Sequence, residues 1–166
     1  MDLTNLLIPY KDFNGEWDLF INYIYSIFER DFIIEMPYFK GNYVDFYDKR
    51  KINSQKEETF WHLTTKIYKY TYRNATIKER KPDIKRAERI AWIKEIIENY
   101  CDPSVLIWLD KSFPKAGRYH LWYNNEFLVV MADLDRNKYY NLITAFCTDE
   151  QKKIQKLKQE YAKWNI

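Results

Sequence analysis

Histidine, cysteine and glycine are scarce in this chain of 166 residues, which holds two His, two Cys and three Gly. The two cysteines, Cys101 and Cys147, stand in no metal-ligand spacing and offer no disulfide framework, and with only His62 and His120 available a zinc site is not expected. So few glycines leave no glycine-rich phosphate loop, and neither an HExxH motif nor a nucleophile elbow occurs. Acid pairs such as Glu57-Glu58 are too ordinary to indicate a two-metal nuclease. Proline is also sparse and no low-complexity run is present, so the chain has no compositional mark of disorder. Apolar runs fall well short of the roughly 20 residues that span a bilayer. The opening Met1-Asp2-Leu3-Thr4 lacks the basic start of a signal peptide, and no small-residue cleavage site follows. A soluble, cytoplasmic protein with no cofactor, no metal and no membrane partner is expected.

What the chain does have is aromatic mass and a concentrated positive charge. Aromatic residues make up 19%, with 15 Tyr and 6 Trp, ample for a large core in one ordinary domain. Net charge is only +3, yet ten basic residues and three acids lie between Lys66 and Lys94, leaving the remainder of the chain net negative. That local excess suits phosphate binding better than general solubility, although a solvated helix face would also account for it.

Hydrophobic spacing divides the chain. Trp17, Phe20, Ile21, Ile24, Ile27 and Phe28 recur at helical period, predicting a helix over Glu16 to Arg30. Phe39 to Tyr47, with Gly41-Asn42 inside it, reads as a short strand or hairpin edge. Glu57 to Tyr72 is expected to form a second helix, weakened late by Thr64, Thr65, Thr71 and three tyrosines. Asn74 to Lys81 then reads as a polar, basic loop. Pro82 suits the first turn of a third helix ending near Tyr100 before Asp102-Pro103. After Pro103 the period becomes that of strands: Val105 to Asp110, Arg118 to Tyr123, Glu126 to Ala132 and Lys138 to Cys147. Asn124-Asn125 is a hairpin signal, and Asp135-Arg136-Asn137 the next turn. Thr148 to Gln151 has a capping-box pattern, opening a last helix whose Ile154, Leu157, Tyr161 and Trp164 would pack on the sheet. The expected class is α+β: N-terminal helices, a four-stranded antiparallel sheet and a closing C-terminal helix. The chain is expected to be a single domain over 1–166, with an N-terminal helical and strand extension over about 1–50 and a nuclease-like core over about 57–166.

Three candidates could carry chemistry: His62, the pair Arg86 and Arg89, and Thr144. Metal-free RNA cleavage needs a base for the 2′-hydroxyl, an acid for the leaving 5′-oxygen and cations for the phosphorane charge. His62 beside a basic run could supply the first, with Lys66, Lys69 and Arg73 along the same face of a helix; a His packed among Phe60, Trp61 and Leu63 would be inert. Arg86 and Arg89, three apart, could clamp one phosphate near a helix N-terminus, with Arg80 and Lys81 extending the positive surface. Equally, they could form a surface ion-pair face with Glu88 and Asp83. The hydroxyl of Thr144 could hold a phosphate oxygen or simply bond to backbone. His120, within a strand, reads as structural.

Three segments together carry a resemblance: Thr59-Phe60-Trp61-His62-Leu63-Thr64, then Arg80-Lys81-Pro82-Asp83-Ile84-Lys85-Arg86-Ala87-Glu88-Arg89-Ile90-Ala91-Trp92-Ile93, then Ile143-Thr144-Ala145-Phe146. In this order they resemble the phage-associated branch of the barnase/EndoU/colicin/RelE-like (BECR-fold) nucleases, over most of the chain from about residue 17. The resemblance implies N-terminal helices before a four-stranded antiparallel sheet. It also implies a toxin-like endoribonuclease that cuts tRNA or mRNA without metal to a 2′,3′-cyclic phosphate, with a protein antitoxin or inhibitor as a further partner. His62, Arg89 and Thr144 are the implied catalytic residues, with Arg86 in support and Lys66, Arg73, Arg80 and Lys81 on the RNA path. Lys66 or Tyr72 is the candidate partner acid, and Tyr119 or Trp122 the surface on which bases stack. A non-catalytic RNA- or protein-binding module on the same fold is the alternative.

Overall fold

A computed structural model describes residues 1–113, 115–134 and 139–164. Two short 3-10 turns, Thr4–Leu6 and Tyr10–Phe13, lead to α1 (Trp17–Phe28), whose Phe20, Ile21, Ile24 and Phe28 are buried as the spacing predicts. The helix loosens into a π turn over Glu29–Ile34. A tight hairpin follows, β1 (Tyr38–Phe39) and β2 (Asn42–Phe46), then a small pairing of β3 (Lys51–Ile52) with β4 (Lys56–Glu57).

The expected helix over 57–72 is only half present. α2 spans Glu58–Thr64 and gives way to β5 (Thr65–Tyr72), which pairs residue by residue with β6 (Ala75–Pro82) as an isolated two-stranded ribbon. Thr64 Oγ1 donates to the Phe60 carbonyl at 2.9 Å, and Thr65 Oγ1 to that of Trp61, both four residues back. Such back-bonding competes with helix propagation, and the β-branched and aromatic residues that follow prefer the pleated backbone. The basic stretch read as a loop is therefore the second strand. Its turn is Arg73-Asn74, both left-handed at φ 46° and 63°, the two-residue geometry that fits strand twist.

The third helix is broken. Pro82 ends β6, and Asp83 caps α3 (Ile84–Ala87) by accepting from the Arg86 amide at 3.3 Å. Successive i→i+3 bonds through Arg89 and Ile90 tighten the chain before α4 (Trp92–Glu98).

β7 (Val105–Asp110), β8 (Arg118–Tyr123), β9 (Phe127–Leu134) and β10 (Tyr139–Cys147) form the expected antiparallel meander. Asn124 and Asn125 turn at positive φ, and the Glu126 amide closes the turn on the Tyr123 carbonyl at 2.8 Å. The turn expected at Asp135-Arg136-Asn137 lies outside the described residues.

The sheet is larger than four antiparallel strands. The β1–β2 hairpin adds to the free edge of β10, with β2 parallel to it, giving a mixed six-stranded order β1-β2-β10-β9-β8-β7. The parallel pairing covers an apolar edge that would otherwise stand open. Both faces of the sheet are buried, which is why β9 reads as a near-continuous apolar run. One face meets α1 and α4 through residues such as Leu121, Val129, Met131 and Leu142; the other, bearing Trp108, Trp122, Leu128 and Val130, is covered by α5 (Gln151–Trp164). Ile154, Leu157, Tyr161 and Trp164 of α5 face the sheet as their spacing predicts. The Thr148 hydroxyl is engaged elsewhere than in a cap: it accepts from Trp122 Nε1 at 2.9 Å and donates to the Asn125 carbonyl at 2.7 Å.

Candidate functional site

One cleft of about 290 Å³ opens where α2, α3, the end of β10 and the start of α5 meet, and its walls include His62, Lys66, Arg86, Thr144 and Lys153. Each residue arrives there for a local reason. In α2 the neighbours Thr59, Phe60, Trp61, Leu63 and Thr64 turn inward, leaving His62 as the exposed side chain of the helix. Lys66 follows two residues after the helix ends, at the root of the ribbon.

Thr144 owes its position to a bulge. Leu142 pairs with Met131 and Thr144 with Val130, so Ile143 is an extra residue in β10. Without the bulge, with Ile143 opposite Val130 in a regular strand, Leu142 and Thr144 would share a face and the hydroxyl would point into the core beneath α1 and α4. With it, Thr144 shares the α5 side with its partner Val130 and with Phe146.

Arg86 is the anchor. It is 8% exposed, and its guanidinium donates twice to the Ala145 carbonyl, from Nε at 2.9 Å and from Nη2 at 2.7 Å. Nη1 donates to the Thr65 carbonyl at 3.2 Å and Nη2 to Thr144 Oγ1 at 3.2 Å. Burial pulls its pKa below the ordinary guanidinium value, but a guanidinium remains a cation. Because Thr144 Oγ1 accepts from Arg86, its own proton can point into the cleft.

The electrostatics act on His62. Water reaches the ring, yet the recess around it still desolvates it, and the positive charges of Arg86 and Arg80 add to that effect. Together they outweigh Glu58 and lower the pKa from the ordinary imidazole value, which favours the neutral ring. Arg80 sits close because Nη2 binds Glu58 Oε1 at 2.5 Å and Nη1 binds Thr65 Oγ1 at 3.1 Å.

Lys153 was not singled out from sequence. Burial pulls its pKa down, Glu150 opposes, and Lys66 and Arg86 pull in the same direction as burial. Its Nζ lies 4.0 Å from the centre of the Phe146 ring. The signal was present: Lys153 lies four residues before Leu157, on the stripe of α5 that faces the sheet. Lys85, Asp83, Asp149 and Glu150 also line the cleft, with Lys85 paired to Asp149. Cys147 lines it too, its thiol pushed up by burial.

The remaining expected residues fall outside. Arg89 is not among the residues lining the cleft: Nη1 donates to the Lys85 carbonyl at 2.8 Å, and the guanidinium lies 4.9 Å over Trp92. Arg86 and Arg89 therefore do not form a shared clamp. Arg73 is at the ribbon tip over Tyr72, and Lys81 pairs with Glu79 at 3.2 Å. Tyr72, at the far end of the ribbon from Lys66, does not line the cleft. His120 is 8% exposed and stacked on Trp108 with centroids 4.8 Å apart. Trp122 is fully buried, so it presents no face to a base, and Tyr119 is partly buried with Lys40 over its ring at 4.6 Å. Among the described residues, no three His, Cys, Asp or Glu side chains converge as a metal-binding group, and no helix is long and apolar enough to cross a membrane.

Comparison with protein-family models, with curated proteins and with solved structures finds no match to this chain.

Proposed function

We propose that this cleft is the active site of an endoribonuclease that needs no metal and cleaves RNA by 2′-hydroxyl attack, leaving a 2′,3′-cyclic phosphate. The observation that carries the reading is an exposed imidazole that shares one cleft with the Thr144 hydroxyl anchored by Arg86 and with Lys66 and Lys153. Neutral His62 takes the proton of the 2′-hydroxyl as its oxygen bonds to phosphorus. The charge that builds on the non-bridging oxygens meets the Thr144 hydroxyl and the fixed field of Arg86, which need no rearrangement at that moment. The bond from phosphorus to the 5′-oxygen breaks, and a lysine protonates the leaving oxygen. Lys153, with its pKa drawn down, is better suited to that step than Lys66. Arg80 acts through His62 as a positioning residue. In cellular terms the reading is of a toxin or a phage- or mobile-element-related RNase acting on tRNA or mRNA, held in check by a protein antitoxin or inhibitor.

A second reading, a binding module without catalysis, is favoured by the way Arg86 directs most of its donors to the protein itself. Incubating the purified protein with total bacterial RNA in EDTA separates the two. Discrete fragments ending in cyclic phosphate, absent with His62→Ala at unchanged thermal midpoint, are expected. Salt-dependent RNA binding with no such fragments would replace the nuclease by the binding module.

A further inference from the structure

The β5–β6 ribbon stands apart from the six-stranded sheet, and its residues 66–76 are exposed throughout. Side chains alternate along a strand, so Lys66, Tyr68, Tyr70 and Tyr72 share one face. Register places Lys81, Glu79, Ile77 and Ala75 opposite them on that same face. The three tyrosines are 46%, 47% and 55% exposed. Large aromatic rings left in water in a regular row are not a folding requirement of a ribbon that covers no core.

Two features identify the occupant. The ribbon from Thr65 to Pro82 carries six basic residues and one acid, Glu79. The row is also continuous with the cleft: Lys66 lines the wall beside His62, and its Nζ lies 5.7 Å from the Tyr68 ring, as does that of Lys81. Arg73 flanks Tyr72 at 5.3 Å. Alternate residues on a strand are about 6.6 Å apart, which spaces the rings for successive unstacked bases while Lys66, Lys81 and Arg73, beside the row, meet the backbone.

We propose that Tyr68, Tyr70 and Tyr72 form a stacking ladder for unpaired RNA, leading a single strand into the cleft at Lys66. The ladder makes single-stranded RNA the substrate class of the site proposed above and so rests on that reading. A duplex keeps its bases stacked on one another and cannot use the rings.

The test uses the full chain and a fluorescein-labelled 2′-O-methyl oligonucleotide of mixed sequence, about ten nucleotides long, within the range such platforms cover. The methyl group blocks 2′-attack, so binding is read without cleavage. Anisotropy should show the single strand binding more tightly than the same strand annealed to its complement. Tyr68→Thr/Tyr70→Thr/Tyr72→Thr, which keeps strand propensity and is checked by circular dichroism, should weaken single-strand binding roughly a hundredfold, from about fivefold per ring. The triple phenylalanine variant should bind like the wild type. Equal affinity for duplex, an unaffected threonine variant, or a wild type that binds neither strand would each overturn the ladder; the last would leave the rings to a protein partner. Cleavage of unmodified RNA is scored separately. Ladder-dependent binding without cleavage sinks the nuclease alone, and cleavage with a dispensable ladder sinks the ladder alone.

Discussion

Replacing Arg86 with alanine removes the side chain that ties three elements together at the cleft. Its guanidinium joins α3 to the Ala145 carbonyl and Thr144 hydroxyl of β10 and to the Thr65 carbonyl at the root of the ribbon. Hydrogen bonds from a charged donor contribute about 1.5–3 kcal/mol each. The two to Ala145 share one acceptor, and those to Thr65 and Thr144 are long at 3.2 Å, so the gross loss is about 4–6 kcal/mol. Against it stands the relief of no longer holding a cation out of water with no carboxylate on its guanidinium, about a third of that sum. The net expectation is about 3 kcal/mol of destabilisation. For a domain of this size that lowers the thermal midpoint by about 6–12 °C. Urea titration followed by tryptophan fluorescence, with the thermal midpoint alongside, measures both. Arg86→Lys keeps the charge without the fork and should recover less than half of the loss. A loss below about 1 kcal/mol for the alanine variant would show that the guanidinium is not a brace, and the anchoring of Thr144 would have to be abandoned with it.

Three further outcomes follow from the same geometry. The pH profile of kcat/KM should have an acidic limb below 6.5, because desolvation and the Arg86 and Arg80 charges lower the His62 pKa; Arg80→Gln removes one of those charges and should move the limb upward, and an unmoved limb would detach it from His62. Lys153→Met should lower kcat about 10²-fold or more if Lys153 is the acid, whereas Lys66→Met should chiefly raise KM; the reverse pattern would exchange their roles. His120 has its pKa lowered by burial against Trp108, so the unfolded chain takes up its proton first and stability is lost as pH falls through 6.5. His120→Phe, which keeps the stacked ring, should therefore lose less stability between pH 7.5 and 5 in urea titrations than the wild type, and equal losses would mean that His120 does not titrate there.

What was legible in the sequence depended on how much chain carried each pattern. The helix α1, the meander β7–β10 and the stripe of α5 repeat one period over many residues, and Asn124-Asn125 announces its turn. The stretch from Glu58 to Pro82 offered competing signals, and the helix begun by Phe60 and Leu63 was extended across residues whose β-branched and aromatic side chains form a strand. That one error hid the ribbon, since Lys66 and the tyrosines share a face only at period two. The β1–β2 hairpin was visible, but its parallel pairing with β10 joins residues nearly a hundred positions apart, and no local pattern records such a contact. His62, Arg86 and Thr144 were all candidates in the sequence and line one cleft, whereas Arg89, placed above Arg86 there, does not line it. Charge at Arg86 and Arg89 looked equivalent in sequence; burial separates them, because only Arg86 turns toward the end of β10. The site also depends on Ile143, the bulge residue, which nothing in Leu142-Ile143-Thr144-Ala145-Phe146 distinguishes from an ordinary strand residue. Flattening the bulge so that Ile143 pairs with Val130 would move Thr144 opposite Val129 and turn it away from Arg86. The chemistry of the cleft therefore follows from an irregularity in β10 rather than from its repeating pattern, and a strand is least legible where its pattern breaks.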